Sequence, residues 1–137
     1  MKISKLELID KVKYAKDALL EKENKKAELM LEELLQDDPI NDHLWLLFGI
    51  VKRRMNEFEK AISCFETVID LNPSLEEAWG LLTITYLDIN DKKRAENVMK
   101  KALELNPSNN KIQFYQENLI NVYQKFGSFF DKFDKVA

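Results

Sequence analysis

The sequence WLLFGIVKRRMNEFEKAISCFETVIDLNP, residues 45–73, is followed 34 residues later by WGLLTITYLDINDKKRAENVMKKALELNP, residues 79–107. Each stretch begins with tryptophan and ends with Asn-Pro, and an alanine lies 16 residues after each tryptophan. The three prolines of the chain keep the same interval of 34 residues: Pro39, Pro73 and Pro107. A fixed interval of this length predicts a protein built from stacked repeats.

Within one repeat, the apolar residues predict two helices separated by a short turn. From Asp42 to Arg54 they recur every three or four residues, the spacing of one helical face, and the same spacing returns from Glu57 to Leu71. Pro39 and Pro73 each follow a second helix, which proline cannot continue because it lacks an N–H and has a fixed φ. No long segment alternates with the period of a strand, so the predicted fold class is all-α.

The ends of the helices carry local signals as well. Asn56 is the predicted N-cap of the second helix in its repeat, with Glu59 completing a capping box, and Ser74 and Glu77 stand in the same relation. The turn of the last repeat is predicted at Asn90-Asp91, before a helix over 92–105.

Composition restricts the function classes. A chain of 137 residues with 33% charged and 45% hydrophobic residues is typical of one folded domain. Its net charge of −3 argues against nucleic-acid binding. The longest apolar run, 44–51, is too short to cross a membrane, so no membrane partner is expected. Residues 1–7 alternate charged and apolar side chains, unlike a secretory signal, so we expect a cytoplasmic protein.

Residues able to carry out chemistry are few. With one cysteine and one histidine, a disulfide and a cysteine-rich zinc site are excluded. Cys64 is interpreted as a small packing residue, the alternative being a nucleophilic pair with His43. The three glycines are too far apart for a phosphate-binding loop. We therefore expect no enzyme activity, no cofactor and no metal.

Paired charges have ordinary explanations. Glu76-Glu77 and Asp37-Asp38 lie beside helix starts, where carboxylates stabilise the helix dipole or remain solvated. The basic runs 52–54 and 92–94 are predicted to be solvated surface, with partner contact as the alternative.

The recurring spacing resembles the tetratricopeptide repeat, whose pattern is Trp-x2-Leu-Gly-x2-Tyr, then Ala-x3-Phe, then Pro. The second repeat matches it with Trp45, Phe48-Gly49, Ala61, Phe65 and Pro73, and the third matches with Trp79, Leu82, Tyr86, Ala95 and Pro107. The departures are Lys52 for the tyrosine, Thr83 for the glycine and Met99 for the phenylalanine.

This resemblance implies a right-handed α-solenoid of about three helix-turn-helix repeats in one domain, 1–137. Residues 8–41 form a degenerate repeat, 42–75 and 76–109 two better ones, and 110–137 a capping helix with an aromatic tail. In such arrays the first helix of each pair lines a concave groove. The expected non-catalytic function is to bind a helix or peptide of another protein there. By resemblance, the groove residues are Val12, Lys16, His43, Leu46, Ile50, Arg53, Arg54, Leu81, Ile84, Leu87, Phe114 and Tyr115.

Two features of this groove predict the type of partner. Its apolar residues, which are expected to be exposed, suit apolar anchors of a partner, and Arg53 and Arg54 suit an acidic residue beside them. Some family members hold the Glu-Glu-Val-Asp tail of chaperones with five polar positions, which correspond here to Val12, Lys16, Leu47, Glu77 and Leu81. Only Lys16 has a suitable charge, so a clamp of this type is not expected.

The C-terminal residues allow a second function. Apolar residues continue at intervals of three and four, interrupted by Gly127: Ile112, Tyr115, Leu119, Val122, Phe126, Phe129, Phe133 and Val136. These must pack on the end of the array, fill the groove or bind another chain. The alternative function is therefore a self-assembling module that forms a homodimer through Phe126, Phe129, Phe130 and Phe133.

Overall fold

The computed structural model of the protein describes residues 4–106, which fold into six helices without a strand. The all-α prediction is confirmed for this part of the chain, and the predicted capping helix and tail lie outside it. The helices are α1 (Lys5–Leu20), α2 (Asn24–Asp37), α3 (Asp42–Arg54), α4 (Phe58–Leu71), α5 (Glu76–Asp88) and α6 (Lys92–Leu105).

Consecutive helices pack as pairs, α1 with α2, α3 with α4 and α5 with α6, and the second helix of each pair packs against the first helix of the next. Among these helices, α3 also contacts both α1 and α5. The first helices α1, α3 and α5 thus form one layer, called here the inner layer, and α2, α4 and α6 form the outer layer. One continuous core runs between the two layers through all three pairs.

Each first helix ends in the same left-handed turn. Lys22, Asn56 and Asn90, spaced by 34 residues, have φ values of 59°, 61° and 61°. The next N–H bonds the carbonyl five residues earlier, as from Glu57 to Lys52 at 2.9 Å, which is a Schellman motif. The N-cap prediction for Asn56 was therefore wrong, because asparagine is favoured both at N-caps and in left-handed turns.

The start of α5 also differs from prediction. Its N-cap is Leu75, and the Ser74 hydroxyl donates to Asn72 Oδ1 at 2.7 Å instead of accepting from the helix. By contrast, Asn41 caps α3 and Asp91 caps α6 through their side chains, each accepting a hydrogen bond from a backbone N–H three residues on.

A glycine allows α3 and α4 to approach closely. A Cβ built on Gly49 would lie 2.5 Å from Cε1 of the Phe65 ring, which is closer than packed carbon atoms can approach. Phe65 itself is fully buried. The glycine therefore faces the outer layer, and this fixes the rotation of α3 about its axis.

The tryptophans connect the turns between repeats to the helices that follow. The indole N–H of Trp45 donates to the Pro39 carbonyl at 2.7 Å, and that of Trp79 donates to the Pro73 carbonyl at 2.8 Å. Trp79 is buried, whereas Trp45 is half-buried against the core.

A buried ion pair joins the first two repeats where the family pattern has tyrosine. Lys52 of α3 donates to Glu28 of α2, and to Glu57 at 3.1 Å, and only 7% of its side chain is exposed. Its ammonium group also lies over the Phe48 ring. The prediction of a solvated basic run was thus wrong for Lys52, although Lys92, Lys93 and Arg94 are exposed as predicted.

Between residues 4 and 106, no helix combines the length and hydropathy that a membrane span requires.

Candidate partner-binding groove

The candidate groove lies on the inner face, defined here as the side of α1, α3 and α5 that points away from the outer layer. On α5, Trp79, Leu82 and Tyr86 line a cleft with residues of α4 and α6, so they face the outer layer. At about 100° per residue, Ile84 lies about 170° around the helix from their mean direction. Ile84 therefore marks the inner face, and Ile50 of α3 and Lys16 of α1 occupy the same repeat position.

Lys16 lies close enough to His43 for its charge to act on the imidazole, and Val12 lies one helical turn before Lys16 on α1. Val12 and Lys16 are half-buried and His43 is exposed. Although His43 is exposed overall, partial burial of its imidazole lowers its pKa, and the positive charge of Lys16 lowers it further. His43 is therefore largely neutral at pH 7, and Lys16 supplies the positive charge next to it.

Four aliphatic side chains expected to be exposed in the groove are buried in the structure. Leu46 and Ile50 are 2% and 1% exposed, and Leu81 and Ile84 are 0% exposed. Leu87, at the C-terminal end of α5, is half-buried. The prediction of open apolar surface was wrong for these four residues, because exposure depends on what packs over a helix as well as on its register. Their part in partner binding stays a prediction.

The two groove arginines bind within the chain. Arg53 Nε lies 2.7 Å from Asp88 Oδ2, with both side chains mostly buried, and Arg54 Nη1 donates to the Leu19 carbonyl at 2.7 Å. Each arginine therefore connects the second repeat to a neighbouring one. The groove assignment of Arg53 gave no indication of its pairing with Asp88. A signal for this pairing was available in the repeat. Asp88 lies 34 residues after Arg54, so the two positions correspond in adjacent helices of the inner layer, and Arg53 is the chain neighbour of Arg54.

The remaining predicted site residues lie outside the described part of the chain. These are the groove residues Phe114 and Tyr115 and the predicted self-association residues Phe126, Phe129, Phe130 and Phe133.

The lone cysteine fits a packing role. Cys64 is 5% exposed on α4, and burial raises the pKa of its thiol to about 11. A thiol with such a pKa is protonated at neutral pH and is a poor nucleophile. Within residues 4–106, no three His, Cys, Asp or Glu side chains are grouped closely enough to hold a metal ion.

Two sequence models of known families match the chain, and both describe a tetratricopeptide repeat. One matches residues 18–83 and the other residues 76–109, so together they span more than half of the chain. No curated protein matches the sequence significantly.

Solved structures give the same result at the level of the fold. The first TPR of Spaghetti (RPAP3), bound to the HSP90 peptide SRMEEVD, superposes with a TM-score of 0.73 at 16% identity, covering 88% of this chain and 96% of that one. The Sgt2 TPR domain from Aspergillus fumigatus superposes with a TM-score of 0.73 at 19% identity, covering 93% and 85%. A mutant of MamA superposes with a TM-score of 0.54 at 18% identity, covering 82% and 67%.

Proposed function

This chain belongs to the tetratricopeptide repeat family, and on that basis we propose that it is a non-catalytic interaction module that binds a helix or extended peptide of another protein along its inner face. The observation that carries the proposal is the convergence of α1, α3 and α5 on one face, with Val12, Lys16 and His43 accessible at one end and aliphatic side chains beyond them. The protonated thiol of Cys64 supports the non-catalytic part of the proposal.

The charges on this face favour an acidic residue in the partner next to Lys16. The sequence suggested that such a residue would pair with Arg53 and Arg54, but both arginines have partners within the chain. Lys16 is half-buried beside His43, whose pKa is lowered, so Lys16 and not the histidine carries the positive charge at this end of the face. Apolar residues of the partner would then follow toward Leu46 and Ile50.

We test this proposal with a photo-crosslinking amino acid placed at His43, and at Ser63 as the control. Both positions are exposed, one on the inner face and one on the outer helix α4, so neither substitution disturbs the core. We expect the His43 position to capture one defined partner from cells that express the protein. Charge reversal by Lys16→Glu should abolish this capture, whereas Lys93→Glu, at an exposed lysine of α6, should preserve it.

Capture from Ser63 alone would contradict an inner-face binding site. Equal capture by the Lys16→Glu and Lys93→Glu variants would contradict the acidic contact next to Lys16.

A further inference from the structure

The inner face of α3 and α5 is more deeply buried than its position explains. Leu46, Ile50 and Ile84 point away from the outer layer, yet none of them is more than 2% exposed. A side chain on the open side of a two-layer array would keep part of its surface in contact with water. Some further part of a protein must therefore cover this face.

The burial of α5 supports the same conclusion. Nine consecutive residues, Ala78 to Tyr86, are buried, which corresponds to two and a half turns and thus to every direction around the helix. The described helices packed against α5 are α3, α4 and α6. Helices α4 and α6 cover the outer side of α5, and α3 lies on the flank where Arg53 reaches Asp88. The inner side, marked by Ile84, needs another cover.

The chain leaves α6 beside the start of α5. Because α6 runs back along α5, its end lies at the start of α5, where Asn106 Nδ2 donates to Glu76 Oε1 at 3.4 Å. The sequence continues for 31 residues after Asn106. Within them, apolar residues recur every three or four residues from Ile112 to Phe133, and Gly127 interrupts this series.

We propose that residues 112–133 of the same chain cover the inner face formed by Leu46, Ile50 and Ile84. Twenty-two residues in one helix, unbroken at Gly127, would measure about 33 Å. Two neighbouring helices, whose axes are about 10 Å apart, span about 20 Å. The segment is therefore long enough to cross α5 and reach α3.

Tethering favours this occupant over a second copy. Only five residues separate Asn106 from Ile112, and short connections give an effective concentration in the millimolar range. The charges at the end of the segment also balance, with Asp131 and Asp134 opposed by Lys132 and Lys135, so they do not oppose packing on an apolar face. An intramolecular cover is thus favoured at micromolar protein concentrations.

If the inner face binds a partner as proposed above, a cover formed by residues 112–133 would regulate that binding. A partner that uses the face beyond Lys16 and His43 must compete with residues 112–133. Its apparent affinity is then reduced by the fraction of molecules in which the face is open. Loss of the phenylalanines would therefore tighten partner binding.

The covering itself is tested without any partner, by the rate of thiol labelling in the full chain. The probe is Ile84→Cys in a Cys64→Ala background, with Leu46→Cys as a second probe in case the first does not fold. We expect slow labelling in the intact chain and labelling at least about tenfold faster after Phe126→Ser, Phe129→Ser and Phe133→Ser. The single substitution Phe129→Ser should give an intermediate rate with less risk to folding.

Three controls separate uncovering from unfolding. Three polar substitutions in the same segment, Asn121→Ser, Gln124→Ser and Lys132→Ser, should leave labelling slow. In chains that keep the native cysteine and carry no probe, Cys64, buried between the layers, should stay protected in every tail variant. An exposed probe at Ser63→Cys should label rapidly throughout.

Fast labelling of both the Ile84→Cys and the Leu46→Cys probe in the otherwise intact chain, or labelling unchanged by the phenylalanine substitutions, would overturn the proposal. Sedimentation equilibrium should give a monomer mass. Protection that appears only together with a dimer mass would also overturn it, because the cover would then come from a second copy.

Discussion

At the scale of single residues, the buried Lys52 is the position where this chain departs most clearly from its family. Burial lowers the pKa of Lys52, but the hydrogen bonds that it donates to Glu28 and Glu57 outweigh this effect and the pKa is raised. Hydrogen bonds from Lys25 and Lys52 hold the pKa of Glu28 below its ordinary value. Both pKa shifts favour the charged forms of Lys52 and Glu28. The two side chains therefore act as an ionic connection between the first two repeats.

We expect Lys52→Ala to destabilise the protein by about 2 kcal/mol, measured by urea unfolding of the full chain. Breaking an enclosed ion pair costs about 3–5 kcal/mol. The lower value applies here because Lys25 still compensates Glu28 after the substitution. Lys93→Ala, at an exposed lysine, should change stability by less than about 0.5 kcal/mol. Equal effects of the two substitutions would contradict this role of Lys52.

The ion pair between Lys52 and Glu28 also predicts that the free energy of unfolding depends on pH. The lowered pKa of Glu28 contributes stability above the ordinary value of 4.5 that is lost as the pH falls below it. The raised pKa of Lys52 contributes stability below 10.5 that is lost as the pH rises above it. The difference in unfolding free energy between the wild type and Lys52→Ala should therefore be largest between these limits and shrink outside them. A difference independent of pH would indicate that packing alone explains the loss.

At the scale of helices and turns, periodicity predicted the elements well and local signals predicted their ends less well. Helices α3 and α6 lie where the sequence placed them, because apolar spacing and the 34-residue interval are independent signals that agree. Asn56 was misassigned because its identity suits two conformations. The 34-residue repeat would have excluded Asn56 as an N-cap. Lys22 occupies the corresponding position in the first repeat, and its side chain has no oxygen that could accept a hydrogen bond from the helix.

Of the three residues with left-handed backbone conformation, Lys22 is expected to carry the most conformational strain, because asparagine tolerates this conformation better than lysine. A side chain with a Cβ is disfavoured at its φ of 59°, which glycine adopts readily. We expect Lys22→Gly to stabilise the protein by about 0.5–1 kcal/mol in urea unfolding. Glu21→Gly, one residue earlier at a φ of −81°, should bring no gain because no strain is relieved there. Stabilisation by both substitutions would argue against a conformational origin.

At the scale of the whole molecule, the stacking of repeats was predictable and the state of the inner face was not. The register of each first helix follows from its own residues, so periodicity alone could assign Leu46 and Ile84 to one side of their helices. Their burial depends on contacts from elsewhere in the molecule, which no local pattern contains. The pairing of Arg53 with Asp88 was missed for a related reason, because Arg53 was assigned to the groove as though its helix stood alone.

The residues at the five clamp positions also predict that the protein binds chaperone-tail peptides weakly. Of the five positions that correspond to a chaperone-tail clamp, Leu47 and Leu81 are buried and Glu77 is negative. In isothermal titration calorimetry we expect the peptide SRMEEVD to bind more weakly than about 1 mM. The first TPR of Spaghetti, whose structure contains that peptide, serves as the positive control. Micromolar binding would refute the prediction.

The ion pair at Lys52 also makes the two junctions between the repeats chemically different. In the third repeat Tyr86 stands where Lys52 stands in the second, and the counterpart of Glu28 in the second repeat is Ile62. The first junction is therefore ionic, whereas at the second junction the same two positions hold an aromatic and an aliphatic residue. If the second and third repeats were exchanged in a shuffled gene, Glu28 would face Tyr86, and Lys52 would face Glu96, which is the counterpart of Glu28 in the third repeat. The repeats are thus not interchangeable copies, and lengthening the array by duplicating the second repeat alone would place a buried lysine opposite Ile62, where it would keep Glu57 but lose the carboxylate of Glu28.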